Sequence, residues 1–156
     1  MGERLERMIP FRINTSSIKV ALRTARLMEG VIGGRFDIAV SSRNIIMLDC
    51  DNPDRLMDFI DFCAGICKEF LADGIVYKTP RGYHFILRRF VSFPRWKWFY
   101  KALLKEMDKN PELEKVIDRV HVEATLRREY TTLRINQIER IAYIEKTGEI
   151  RWYTFE

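Results

Sequence analysis

The run Ile45-Ile46-Met47-Leu48-Asp49-Cys50-Asp51 constrains this chain more than any other: an apolar, strand-like stretch ends in two carboxylates at spacing two. Successive strand side chains point to opposite faces, so Asp49 and Asp51 share one face while Cys50 points to the other. Two like charges on one side of a strand raise each other's protonation cost unless a cation or a donor neutralises them. The pair is therefore a divalent-metal site or a strand end entering a helix cap. The second reading has support in Asn52-Pro53-Asp54, which supplies a cap, a first-turn proline and an acid suited to the helix dipole.

The helix that follows is predicted to reach residue 71, because Leu56, Phe59, Ile60, Cys63, Ile66, Cys67 and Phe70 recur at three and four, and Asp73-Gly74 stops it. Upstream, Thr15-Ser16-Ser17 caps a helix to about residue 28, and 36–40 with 45–48 reads as a hairpin across Ser41-Ser42-Arg43-Asn44. Downstream, 75–78 and 83–90 form a second hairpin around Thr79-Pro80-Arg81-Gly82. A helix at 94–107 and a short one at 110–116 follow. Strands are then predicted at 118–125, 131–136, 140–145 and 149–155, the last pair turning at Thr147-Gly148. Hairpins segregated from helices imply an α+β fold with a mostly antiparallel sheet and helices packed on one face. No repeat or linker divides the 156 residues, and 47% hydrophobic content supports a full core, so one domain over 1–156 is expected.

Charge and cysteine usage narrow the partners. Lys and Arg number 27 against 22 Asp and Glu, and the net +5 suits nucleic acid or a nucleotide, although a charged soluble surface accounts for it equally. Three cysteines make no disulfide framework. Cys63 and Cys67 read as core thiols, since zinc would want further ligands and the chain has only two histidines. No apolar run approaches the roughly 20 residues that span a bilayer, and the first residues lack the apolar core of a secretory leader, so a cytoplasmic protein with no membrane partner is expected.

The period-two rule then sorts the strands. His84, Ile86 and Arg88 point one way and Tyr83, Phe85 and Leu87 the other; read as a strand, 118–125 puts Arg119, His121 and Glu123 opposite Val120, Val122 and Ala124. Leu133 and Ile135 likewise face away from Thr132, Arg134 and Asn136. With the apolar sides under the helices, Asp49, Asp51, His84, Arg88, His121, Glu123 and Arg134 gather on an uncovered face. Acids for metal and cations for phosphate are what nucleotidyl transfer requires. Asp49, Asp51 and Glu123 would hold Mg²⁺ or Mn²⁺, and His84, Arg88 and Arg134 a triphosphate, with Thr79 and Arg81 as further phosphate contacts from the turn. Each has a plainer reading: His84 as a structural histidine, Glu123 as an ion-pair partner of Arg119 or Arg134, and 79–82 as a tight turn without ligand. Trp96, Trp98, Phe99 and Tyr100 alternate with Arg95, Lys97 and Lys101 as in strand-stacking proteins. Helical spacing commits Trp96, Phe99, Leu103 and Met107 to the core and leaves Trp98 or Tyr100 for bases.

Three ordered motifs carry a family resemblance. Leu48-Asp49-Cys50-Asp51 resembles the apolar D-x-D motif of the archaeo-eukaryotic primase superfamily, Thr79-Pro80-Arg81-Gly82-Tyr83-His84 resembles its glycine-and-histidine motif, and Val120-His121-Val122-Glu123 resembles its third, single-acid motif. Thr132-Leu133-Arg134-Ile135 is similar to the stretch in which an arginine follows that acid. The resemblance covers 36–135, with Glu123 where an aspartate is usual. It implies a small DNA primase or primase-polymerase core with an RRM-like sheet. Asp49, Asp51 and Glu123 would bind metal and His84 the incoming nucleotide. The partners would be a single-stranded DNA template, nucleoside triphosphates, and a helicase or accessory replication subunit. Two rival readings remain: a rolling-circle-type replication initiator nuclease using His121-Val122-Glu123 and Tyr100 as nucleophile, and a non-catalytic nucleic-acid-binding module.

Overall fold

The computed structural model describes residues 39–135 and 138–153. The helix expected at 15–28, the start of the strand at 36–40, Asn136 and the end of the strand at 149–155 lie outside them. The described residues form an α+β fold with antiparallel sheets and three α-helices: β1 (Ala39–Ser42), β2 (Met47–Cys50), α1 (Leu56–Phe70), β3 (Gly74–Lys78), β4 (Tyr83–Leu87), α2 (Phe93–Lys109), α3 (Arg119–Arg128), β5 (Thr131–Arg134), β6 (Glu139–Ile144) and β7 (Ile150–Trp152). Short 3₁₀ turns at Pro53–Arg55 and Pro111–Lys115 lead into α1 and α3.

The central sheet runs β2-β4-β3-β6-β7, antiparallel throughout, and β1 pairs with β5 in a separate two-stranded ladder. Leu48, Cys50, Val76, Phe85 and Leu87 point to the helical side, where α1 contributes Phe59, Ile60, Cys63 and Phe70 and α2 contributes Trp96, Phe99, Tyr100 and Leu103. Both helices dock through the apolar stripes read from their spacing. Cys63 and Cys67 are buried core thiols, and burial pushes Cys67 up to about 12. Asn52 caps the turn into α1 by accepting from the Asp54 amide at 3.1 Å, and Leu71 ends that helix in the left-handed region at φ 49°.

Three expectations are corrected. In the described part of the hairpin expected from 36–40 and 45–48, the two strands do not pair: β1 pairs with β5, with Ser41 and Thr132 hydroxyls 2.8 Å apart, while β2 pairs with β4. The opposite face of the sheet is not open. Met47, Ile75, Tyr77 and Ile86 bury there with Val40 and Leu133 of the β1-β5 ladder and with Ile45, Ile135 and Ile138. Finally, the 118–125 segment is the start of α3 and not a strand. Asp118 caps it through the Val120 amide at 3.0 Å, and burial falls on Val122 and Thr125 at helical spacing while Val120 is 73% exposed.

β2 is an edge strand, and its outer edge is closed by side chains and by the start of α3. Trp96 Nε1 donates to the Ile45 carbonyl at 3.0 Å, and the Tyr100 hydroxyl accepts from Met47 N at 2.9 Å and donates to Met47 O at 2.6 Å. The Asp118 amide donates to the Asp49 carbonyl at 2.9 Å. An edge whose backbone groups are satisfied this way cannot recruit another strand, and it fixes where the acids at its end stand.

Candidate functional site

The end of β2 and the β3-β4 turn meet through a glycine. The Thr79 amide donates to the Gly82 carbonyl at 2.9 Å, and the Gly82 amide returns a bond to Thr79 Oγ1 at 3.0 Å. A Cβ on Gly82 would lie 1.9 Å from the Cys50 carbonyl oxygen, so only glycine lets the turn close against β2. That closure sets Arg81 beside the acids and places His84 directly across the ladder from Asp49. His84 Nε2 lies 3.2 Å from Asp49 Oδ1, while the buried His84 Nδ1 has no hydrogen-bond partner among the described residues.

A cavity of about 390 Å³ opens over this pair. Asp49, Asp51 and Asp118 supply its carboxylates, Arg81 and Arg134 its guanidinium groups, His84 and His121 its imidazoles, and Thr79, Pro80, Thr132 and Leu133 complete the wall. Asp51 and Asp118 also line a neighbouring cavity of about 280 Å³ with Asn52, Glu114 and Lys115. Burial, and after it the charge of Asp49, pushes the Asp118 carboxyl above its ordinary value, against the Val120 and His121 amides that donate to it. His121 Nε2 donates to the Thr132 carbonyl at 3.2 Å, tying α3 to β5. Burial holds its imidazole below the ordinary value, against the charge of Asp49.

Of the residues expected from sequence, Asp49, Asp51, Thr79, Arg81, His84 and Arg134 come together in the cavity. Two do not. Glu123 lies on α3 and is bonded to Arg119 Nε at 2.7 Å, within a cluster in which Arg119 also holds Asp108 at 2.7 Å and Glu114 at 2.5 Å. Arg88 lies at the far end of β4, donating to the Tyr143 hydroxyl at 2.6 Å with its guanidinium 5.5 Å from that ring centre. Tyr100, the nucleophile of the nuclease reading, is fully buried with its hydroxyl engaged by Met47. The acid missed from sequence is Asp118. Its signal was present: Val116-Ile117 bury ahead of it, and Val122 and Thr125 follow at four and seven.

The donor chemistry suits a hard cation. Among the described residues no three or more His, Cys, Asp or Glu side chains form a cage that could hold a metal ion. Mg²⁺ needs no such cage, because it keeps water and takes one or two carboxylates together with substrate phosphate oxygens. Carboxylates facing guanidinium groups across one cavity fit that division: acids for the cation, Arg81 and Arg134 for phosphate. No helix among the described residues is long and apolar enough to cross a membrane. No protein-family model, curated protein or solved structure matches this chain.

Proposed function

We propose that the chain is a primase-type nucleotidyltransferase that starts or extends a strand on a single-stranded DNA template, with an RRM-like sheet as scaffold. The observation that supports it most is the cross-strand pair Asp49 and His84 under a cavity whose rim carries Asp51 and Asp118 as well as Arg81 and Arg134. In this reading Asp118, and not Glu123, is the third acid. Mg²⁺ or Mn²⁺ would be held by one or two of the carboxylates Asp49, Asp51 and Asp118, and would supply a lower pKa for the attacking hydroxyl and positive charge against the leaving pyrophosphate.

The protein's own groups do the rest. Arg81 and Arg134 grip the triphosphate, and their planar donors match phosphate oxygens two at a time. His84, bonded to Asp49 through Nε2 and buried at Nδ1, holds that carboxylate in place beneath the nucleotide. The attacking hydroxyl oxygen bonds to the α-phosphorus as the bond to pyrophosphate breaks, and the hydroxyl proton leaves to solvent. In-line attack needs both groups held in register, which a cavity floored by a rigid ladder provides. The burial of Tyr100 favours this reading over the nuclease, whose tyrosine must reach a phosphodiester.

A template-directed incorporation assay with labelled nucleoside triphosphates tests it. Wild-type protein with Mg²⁺ or Mn²⁺ should add nucleotides, chelator should stop addition, and Asp49→Asn should lower the rate by at least about 10²-fold. Wild-type protein that neither incorporates nor binds nucleotides with either metal would overturn the reading.

A further inference from the structure

The solvent face of α2 is used by nothing described so far. Arg95, Trp98, Lys101, Lys105 and Lys109 follow one another at three- and four-residue steps and are all exposed, so they form one stripe, flanked by the acids Glu106 and Asp108, the latter bonded to Arg119. Trp98 is 57% exposed in a helix whose other large aromatics are committed to the core. The stripe continues past the helix N-terminus. Arg95 lies 4.5 Å over the Phe70 ring, Arg89 donates to the Phe70 carbonyl, and Phe90 beside it is 56% exposed. Among the described residues Arg95, Lys101 and Lys105 form no ion pair.

We infer that this face of α2 is a binding platform for single-stranded nucleic acid, with Trp98 stacking a base and Arg95, Lys101 and Lys105 neutralising successive phosphates. The charge of the stripe is complementary to a polyanion, and an exposed indole among cations at regular steps is the arrangement that grips a strand without reading its sequence. An anionic membrane fits less well. A helix lying in a bilayer surface needs a broad apolar face, and the apolar face of α2 is packed against the sheet. The identity of the strand as template rests on the primase-type reading, but the binding itself does not. α2 runs alongside β2 in the same direction, Trp96 bonding Ile45 and Tyr100 bonding Met47, so the stripe advances toward the end of the sheet that carries Asp49.

The full chain and a fluorescein-labelled thymidine oligonucleotide of about 20 residues provide the test, read by anisotropy in chelator and without nucleoside triphosphate, conditions under which the cavity chemistry is silent. Trp98→Ala should weaken binding about tenfold and Trp98→Phe much less, because a smaller ring still stacks. Lys101→Glu with Lys105→Glu should weaken it further and flatten the dependence on salt. Circular dichroism checks that each variant is folded. Unchanged binding by Trp98→Ala and by the charge-reversed variant overturns the inference, as does Trp98-dependent binding to phosphatidylserine vesicles without binding to the oligonucleotide. If Asp49→Asn abolishes incorporation while Trp98→Ala binds normally, the platform fails and the primase-type reading stands. Trp98-dependent strand binding by protein that neither incorporates nor binds nucleotides with either metal supports the platform and overturns the primase-type reading.

Discussion

The Asp118 amide donates to the Asp49 carbonyl at 2.9 Å, so the cap of α3 and the acid strand share a backbone bond. The side chains of both residues line the same cavity, and neither can shift without disturbing the other's element. Asp118→Asn tests what the carboxylate does, because asparagine caps a helix as well as aspartate and leaves the fold in place. We expect nucleotide incorporation to fall by at least about 10²-fold in Asp118→Asn with little change in melting temperature. Glu123→Gln should keep incorporation within about twofold and cost less than about 1 kcal/mol, since its bond to Arg119 is exposed. A reversed ranking in parallel incorporation assays would return the third acid to Glu123.

That ranking also measures what the sequence could disclose. Alternation over 45–49 and 83–87 put Asp49 and His84 on one face of neighbouring strands, and the structure pairs them. Alternation failed at 118–125 because Arg119, His121 and Glu123 mimic a polar strand face, whereas burial at Val122 and Thr125 obeys the helical period. Arg88 shares the face of His84 but lies four residues further along the strand, beyond the reach of the cavity; periodicity fixes the face of a side chain and not its distance along it. The pairing of β1 with β5 joins residues 91 apart, as Ser41 and Thr132 show, and no local signal announces such a contact.

Gly82→Ala should damage the site through the backbone. The added methyl would meet the Cys50 carbonyl at 1.9 Å, so the turn must lift away from β2, carrying Arg81 and loosening His84. We expect a loss of about 1–3 kcal/mol in urea denaturation and a raised KM for nucleotide. An unchanged midpoint and KM would show that the close approach is unimportant.

At the other end of the sheet, Asp73 gives stability a pH dependence that can be separated from the site. Burial raises its carboxyl, but bonds from the Tyr143 hydroxyl and the Lys146 amide, with the charges of Arg88 and Lys146, bring it below the ordinary value. A carboxyl lowered on folding stabilises above its unfolded pKa, and the contribution disappears as pH falls through the folded value. Asp73→Asn loses the charge and puts an amide donor where one of the two accepting oxygens stood, much as protonation of the carboxyl would. The variant should therefore be less stable than wild type near pH 7 and should converge on it in acid below the usual carboxylate range, as read by urea melts across pH. A difference independent of pH would assign the effect to shape.

Tyr100→Phe separates the structural role of that hydroxyl from the nuclease role. The ring stays in the core against Trp96, with centroids 4.9 Å apart, and against Phe99 at 5.2 Å, so packing is retained. The variant loses both bonds to Met47 and leaves a buried amide and carbonyl on the outer edge of β2 without the partner that satisfied them. Such groups cost about 1–3 kcal/mol, and we expect a loss of that size with an unchanged dependence on denaturant concentration. Because the strand so loosened carries Asp49, incorporation should fall at temperatures near the new midpoint and recover on cooling. A tyrosine nucleophile would behave otherwise: its removal would abolish covalent capture of a 5′ DNA end at every temperature and leave stability nearly untouched.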